Sequence, residues 1–288
     1  MAGPNHVENP FEFVLEKLGW AATDVGHAVL PNPARHQGQA VAVVRKVSAR
    51  DLWDALKEGA ADVGALRDDI LFVGVIYPLA GLVLARLAFS LDLLPLLFPL
   101  ASGFALVGPV AAIGLYELSR RRERGEQVNW LDAFGVLRSP ALSSIIGLGL
   151  VLLALFVVWL GVAYEIYLLN LGGEPPQTVG AFERSVLHTS GGWTMIAVSM
   201  GVGFLFAVAA FALSVVSFPL LLDRDVGVSA AVGTSLRAVA ANPGVMLLWG
   251  AIVAGLLVLG SLPALVGLIF VVPLLGHATW RLYRKMIA

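Results

Sequence analysis

The chain has 288 residues, of which 58% are hydrophobic and only 14% charged, with a net charge of −1 and no cysteine. Soluble domains run at roughly 45–50% apolar and about 25% charged, so this is the composition of a polytopic membrane protein. The near-neutral balance excludes a bulk basic field for nucleic acid. The missing cysteine excludes disulfides, thiolate metal centres, iron–sulfur ligation and cysteine nucleophiles.

In chain order, residues 1–46 read as a cytoplasmic arm and loop with no removable signal pattern. Within it, NPFEFVLEKLGW (9–20) sets Phe11, Val14, Leu15 and Leu18 on one helical face and Glu12 and Glu16 opposite. Residues 47–280 read as a membrane domain. Its spans are predicted at about 70–89, 93–118, 141–164, 193–222, 244–262 and 263–280, with an outer loop at 165–192 in which Thr178 is placed to cap a short helix. Such apolar runs match the roughly 20 residues that cross about 30 Å of hydrocarbon. Very short turns join the first two spans and the last two, which makes each pair antiparallel neighbours. Residues 281–288 form a cytoplasmic tail. The fold class is all-α, six transmembrane helices in three hairpins.

Seventeen of the 19 Lys and Arg residues fall on one side of these spans, and only Arg86 and Arg184 on the other. The positive-inside rule then places both termini in the cytoplasm of a cell whose inner membrane holds the protein. Three segments precede spans one, three and five: VSARDLWDALKEGAADV (47–63), VNWLDAFGVLRSP (128–140) and VGVSAAVGTSLRAVAANP (226–243). Each begins with Ser or Asn, good helix caps. The first two carry apolar residues at helical spacing: Leu52, Leu56 and Val63, then Leu131, Phe134 and Leu137. These read as amphipathic helices on the cytoplasmic face. Pro109 and Pro273 are each followed by an aromatic seven residues on (Tyr116, Trp280) and by basic residues, and FPLLLDRD (218–225) starts in the same way. The pattern implies an internal threefold repeat of surface helix, span out, span back.

No charge falls near a span midplane, where one would cost about 3 kcal/mol. The candidate polar cluster lies at the inner ends: Asp223, His277, Glu117 and Arg281. Counted from the prolines, Asp223 matches His277 and Glu117 matches Arg281. Asp223 beside His277 would make a proton-sensitive pair, and Glu117 with Arg281 would close the inner face; the alternative is that all four are structural clasps. Only His277 of the five histidines is in a span, too few for a bis-histidine haem or an oxidase core. No catalytic, cofactor or metal constellation is visible. Ser199 with Gly203, Ala251 with Gly255, and Gly81 with Ala85 read as close helix-packing positions. Prolines 78, 99, 109, 219 and 273 interrupt the spans.

At SFPLLLDRDV (217–226), SLRAVAANPGVMLLWGAI (235–252) and PLLGHATWRLYRK (273–285), the sequence resembles the domain-of-unknown-function 2189 family of bacterial predicted integral membrane proteins. GPVAAIGLYELSRR (108–121), VRKVSARDL (44–52) and NPFEFVLEKL (9–18) fit as well. The resemblance implies a membrane-embedded fold over nearly the whole chain. Some family members carry the label putative cytochrome c oxidase, and the histidine count argues against a catalytic role of that kind. It supplies no active site to place on these residues.

Two functions follow. One is a non-enzymatic inner-membrane protein acting by association, as an accessory, assembly or scaffold component of a membrane complex, a respiratory complex included; its expected partners are such a complex or, in a homo-oligomer, further copies of the chain. The other is a transporter or channel for a small solute with a proton-sensitive inner-face site. Apart from lipid and such protein partners, no cofactor or nucleic acid is expected.

Overall fold

The structure, a computed structural model, describes residues 42–65, 95–172, 178–224, 226–262 and 266–288. The N-terminal amphipathic arm and the predicted first span lie outside them. The described residues are helical apart from short connections and one antiparallel bridge, Val44 to Ile287.

Helix α1 runs Ala49–Ala65 and α2 Leu97–Glu123; a 3-10 helix follows at Trp130–Arg138. Then come α3 (Leu142–Leu171), α4 (Val179–Leu187), α5 (Ser190–Ser214), α6 (Ser217–Asp223), α7 (Val228–Ala241), α8 (Pro243–Ser261) and α9 (Leu268–Met286). Among the described residues, three stretches are long and apolar enough to cross a membrane: Leu142–Leu171, Ser190–Asp223 and Pro243–Ser261.

Local chemistry sets several helix ends. Ser48 and Asp51 form a reciprocal cap at the start of α1, with Ser48 N donating to Asp51 Oδ2 at 2.8 Å. Asn129 and Asp132 do the same for the 3-10 helix. Thr178 caps α4 by accepting the Ala181 amide at 3.1 Å. Helix α7 departs from the expectation of a Ser cap: Gly227, at φ 54°, stands there and Ser229 lies inside the helix. Pro243 takes the first turn of α8, where its missing N–H costs no bond. Several helices outrun the spans drawn on apolarity. α2 continues to Glu123, α3 to Leu171 and α9 to Met286, because their terminal charged and aromatic residues find partners without leaving helical geometry. At about 1.5 Å per residue, the 30-residue α3 is roughly 45 Å long, longer than the hydrocarbon it would cross. At its far end Tyr164, Tyr167 and Phe182 form a chain of ring contacts, as interfacial aromatics do.

The break between α5 and α6 has two causes. Pro219 has no N–H to give the Val215 carbonyl, and its ring crowds that turn. In addition, the buried Ser235 hydroxyl of α7 enters the helical ladder. It donates to Ala212 O at 2.7 Å and accepts the Val216 amide at 3.3 Å, replacing the bond those two groups would make directly.

Packing falls into two zones. Along the apolar helices, Trp159 of α3 lies against α5 in the space that Gly203 leaves open, with its ring tilted against Phe206 at 5.4 Å between centroids. At the α8–α9 junction, Gly260 and Gly267 bring backbones into contact that no side chain would fit between. Gly255, by contrast, has open space around it. Much of α8 faces outward, with Leu247, Val258 and Leu259 more than 60% exposed. The second zone gathers α1, the ends of α2 and α9, α6, α7 and the 3-10 helix. Here α9 lies between α1 and α2. A Cβ on Gly59 would meet Ala278 backbone at 2.7 Å, and Gly276 leaves room for Leu115. Trp249, Trp280, Tyr283 and Phe218 are almost completely buried, as is Leu52.

Candidate functional site

The polar groups converge on the last two turns of α2, read as LYELSRRRE. Successive helical residues point about 100° apart, so the five neighbours Ser119 to Glu123 cover the whole circumference and between them reach α1, α6, α9 and the 3-10 helix. Arginines at a helix C-terminus also oppose its negative dipole end.

Ser119 turns toward α1 and α9. Its hydroxyl lies 2.6 Å from His277 Nδ1 and 3.3 Å from Asp62 Oδ2. Asp62, buried on α1, takes a two-pronged hydrogen bond from Arg281, with Nε and Nη2 each at 2.9 Å, and an ion pair from Arg122 at 2.9 Å. Arg122 also donates to the carbonyls of Ala61 and Asp62 at the end of α1. Arg120 donates to Leu222 O at 2.7 Å and so satisfies the end of α6. Arg121 bridges Glu117, at 2.8 Å, to Asp132 of the 3-10 helix, at 3.0 Å. Glu123 accepts from the Trp280 indole at 3.1 Å and from Arg284 at 3.0 Å.

The four residues singled out from sequence do not form the two pairs expected. Asp223 accepts from the Tyr283 hydroxyl at 2.7 Å and lies 3.4 Å from Arg284 and 3.7 Å from Arg224. His277, fully buried, meets Ser119 instead. Glu117 pairs with Arg120 and Arg121 of its own helix, at 2.7 and 2.8 Å, and Arg281 belongs to Asp62. Equal depth along the helix axis carries no information about azimuth, and azimuth decides which side chains meet. Burial, with Asp223 as neighbour, lifts the Tyr283 phenol well above its ordinary range, so it remains a donor.

Three residues at the centre of this layer were not singled out from sequence. Asp62 had a signal: the buried stripe of α1 is Leu52, Ala55, Gly59 and Asp62, at helical spacing, one face round from the expected Leu52, Leu56 and Val63. An acid on an apolar stripe demands a buried cation. Asn242 had only its Asn-Pro context. Its side chain leaves the α8 cap unmade, accepts the Val47 amide at 2.9 Å, and donates to the carbonyls of Arg45 and Ala238 at 3.1 Å. That ties the segment before α1 to the α7–α8 corner, while Arg45 N donates to Met286 O at 2.8 Å and closes it against the end of α9. Ser235, the hydroxyl inside the broken helix, had no signal in the sequence at all.

Chemically the arrangement is a set of buried and half-buried ion pairs and hydrogen bonds, in which Glu117 Oε2 and Arg120 Nε are buried without a hydrogen-bond partner among the described residues. Among the described residues, no group of three or more His, Asp or Glu side chains is placed to hold a metal ion.

No curated protein and no solved structure matches the chain. A family model matches residues 97–223, from α2 through α6. The stretch contains the arginine hub and the broken helix, and it ends before the 235–252 and 273–285 segments on which the wider resemblance was read. Over that stretch the chain is similar to the family described as predicted integral membrane protein (DUF2189), and among the described residues three stretches are long and apolar enough to cross a membrane.

Proposed function

We propose that the protein is a non-enzymatic membrane component that acts by association, as an accessory, assembly or scaffold subunit or as a homo-oligomer. In this reading it has six spans in three repeated hairpins, sits in the inner membrane, and keeps both termini and the arginine-rich layer in the cytoplasm. The observation that carries the reading is the state of the inner-face charges. Asp223, His277, Glu117 and Arg281 are each engaged by a side chain of the same chain, which is what a clasp needs and what a solute site would have to undo. The outward apolar surfaces of α5 and α8 add support, since they offer broad faces to lipid or to another subunit.

The test is flux. Purified protein in sealed vesicles carrying a pH gradient is expected to move no more solute or proton than empty vesicles, and Asp223→Asn or His277→Ala is expected to lower thermal stability. A pH-dependent uptake that Asp223→Asn abolishes while the variant stays folded would replace this reading with the transporter one.

A further inference from the structure

The segment 130–138 is a nine-residue 3-10 helix, long for a form that seldom exceeds three or four residues. Its three-residue turn stacks positions i, i+3 and i+6 in one row. Leu131, Phe134 and Leu137 therefore share a single edge, and they are 59%, 38% and 64% exposed. The opposite side is clamped: Ala133 and Val136 are buried, and Asp132 is turned inward to Arg121 and to the Asn129 amide. The outward edge thus carries no acid, while Arg138, in the neighbouring Asp132 row at the end of the helix, is exposed. Trp130 stands edge-on to Phe134 at 6.2 Å. Four residues after Arg138, the membrane-crossing α3 begins.

We propose that this edge is an interfacial anchor, with Leu131, Phe134 and Leu137 inserted at the boundary of headgroups and acyl chains and Arg138 against lipid phosphate. Continuity with α3 holds the edge at the depth where the bilayer begins. The charge pattern, an exposed Arg138 on a helix whose one acid, Asp132, is ion-paired to Arg121, fits an anionic headgroup layer. Through Arg121 the anchor would fix the depth of the α2 hub. The inference depends on the chain being a membrane protein and is independent of whether it acts by association.

The sequence has no cysteine, so an introduced thiol is unique. Spin labels are placed on Leu131→Cys, Leu137→Cys and, as a solvent reference, Glu126→Cys, in the full chain reconstituted at low density in vesicles of phosphatidylcholine and phosphatidylglycerol. Relaxation by oxygen, which concentrates in lipid, is compared with relaxation by a water-soluble nickel chelate. Labels at 131 and 137 are expected to favour oxygen and the label at 126 to favour nickel. Ala133→Cys, expected to be shielded from both, checks that the helix is packed as described. Nickel access at 131 and 137 equal to that at 126 would overturn the proposal, as would shielding from both reagents there, which would mean that protein covers the edge.

Discussion

The polar layer and the apolar helices are held by different physics. In the layer, α1, α2 and α9 approach so closely that glycines stand at both contacts, and nearly every charge is spoken for. Along α5 and α8, large apolar side chains face outward; Met200, Leu205, Val258 and Leu259 are each more than 60% exposed. In water that surface would drive collapse. In lipid it is already solvated, and helices there associate through shape and hydrogen bonds. Specificity of fold therefore resides in the layer, and the apolar helices are left with surface for other contacts.

The comparison is broken most severely at Asp62. Asp62→Ala leaves Arg281 and Arg122 without their shared carboxylate in a buried site, at a cost of about 3–5 kcal/mol. A thermal melt in detergent micelles should show a larger drop for it than for Gly59→Val or Ser235→Ala. Gly59→Val drives a branched side chain into the Ala278 backbone and should cost about 1–3 kcal/mol, read in the same melt. Ser235→Ala removes the hydroxyl that stands between Val216 N–H and Ala212 C=O. With both groups orphaned the loss is about 1–3 kcal/mol; a loss near zero would mean that α5 and α6 close into one straight helix without it.

These positions also show how much of the molecule the sequence made legible. Composition and run length give the membrane class, and apolar runs locate α3, α5 and α8, since crossing lipid needs only hydrophobicity and length. Cap chemistry is equally local, so Ser48, Asn129, Thr178 and Pro243 announce their roles. The polar layer is different. Whether Arg281 meets Glu117 or Asp62 depends on helix azimuth and crossing angle, set by contacts such as Gly59 on Ala278 between residues more than 200 apart in sequence. Asp62 was readable as an acid on an apolar stripe. Ser235 looks like any serine in an alanine-rich helix until the break it fills is seen. Leu131, Phe134 and Leu137 were legible as one row, but the helix that carries them is 3-10, and the three-residue spacing fits that form better than an α-helix.

On the apolar side the expected effects are small. Leu247→Ala or Leu259→Ala on α8 should stay within about 0.5 kcal/mol in the same melt, because neither leaves a cavity; a loss as large as that of Gly59→Val would mean that a subunit covers α8 in the purified state. Smallest of all is a pH effect at the start of α1. The hydrogen bonds from Ser48 hold the Asp51 carboxyl below its ordinary value of 3.8. A carboxylate with a lowered folded-state value contributes fully above its unfolded value and loses that contribution as pH falls through the folded one. Helicity and melting temperature should therefore lose the Asp51 share only below about pH 4, and Asp51→Asn should flatten that part of the profile.

Association is tested most directly by purification from native membranes in mild detergent, with mass spectrometry of everything retained at stoichiometric level. A recurring set of membrane subunits, or further copies of this chain, that survives a salt wash is the predicted result. A monomer that comes out alone, in native lipid and at low detergent, would contradict it.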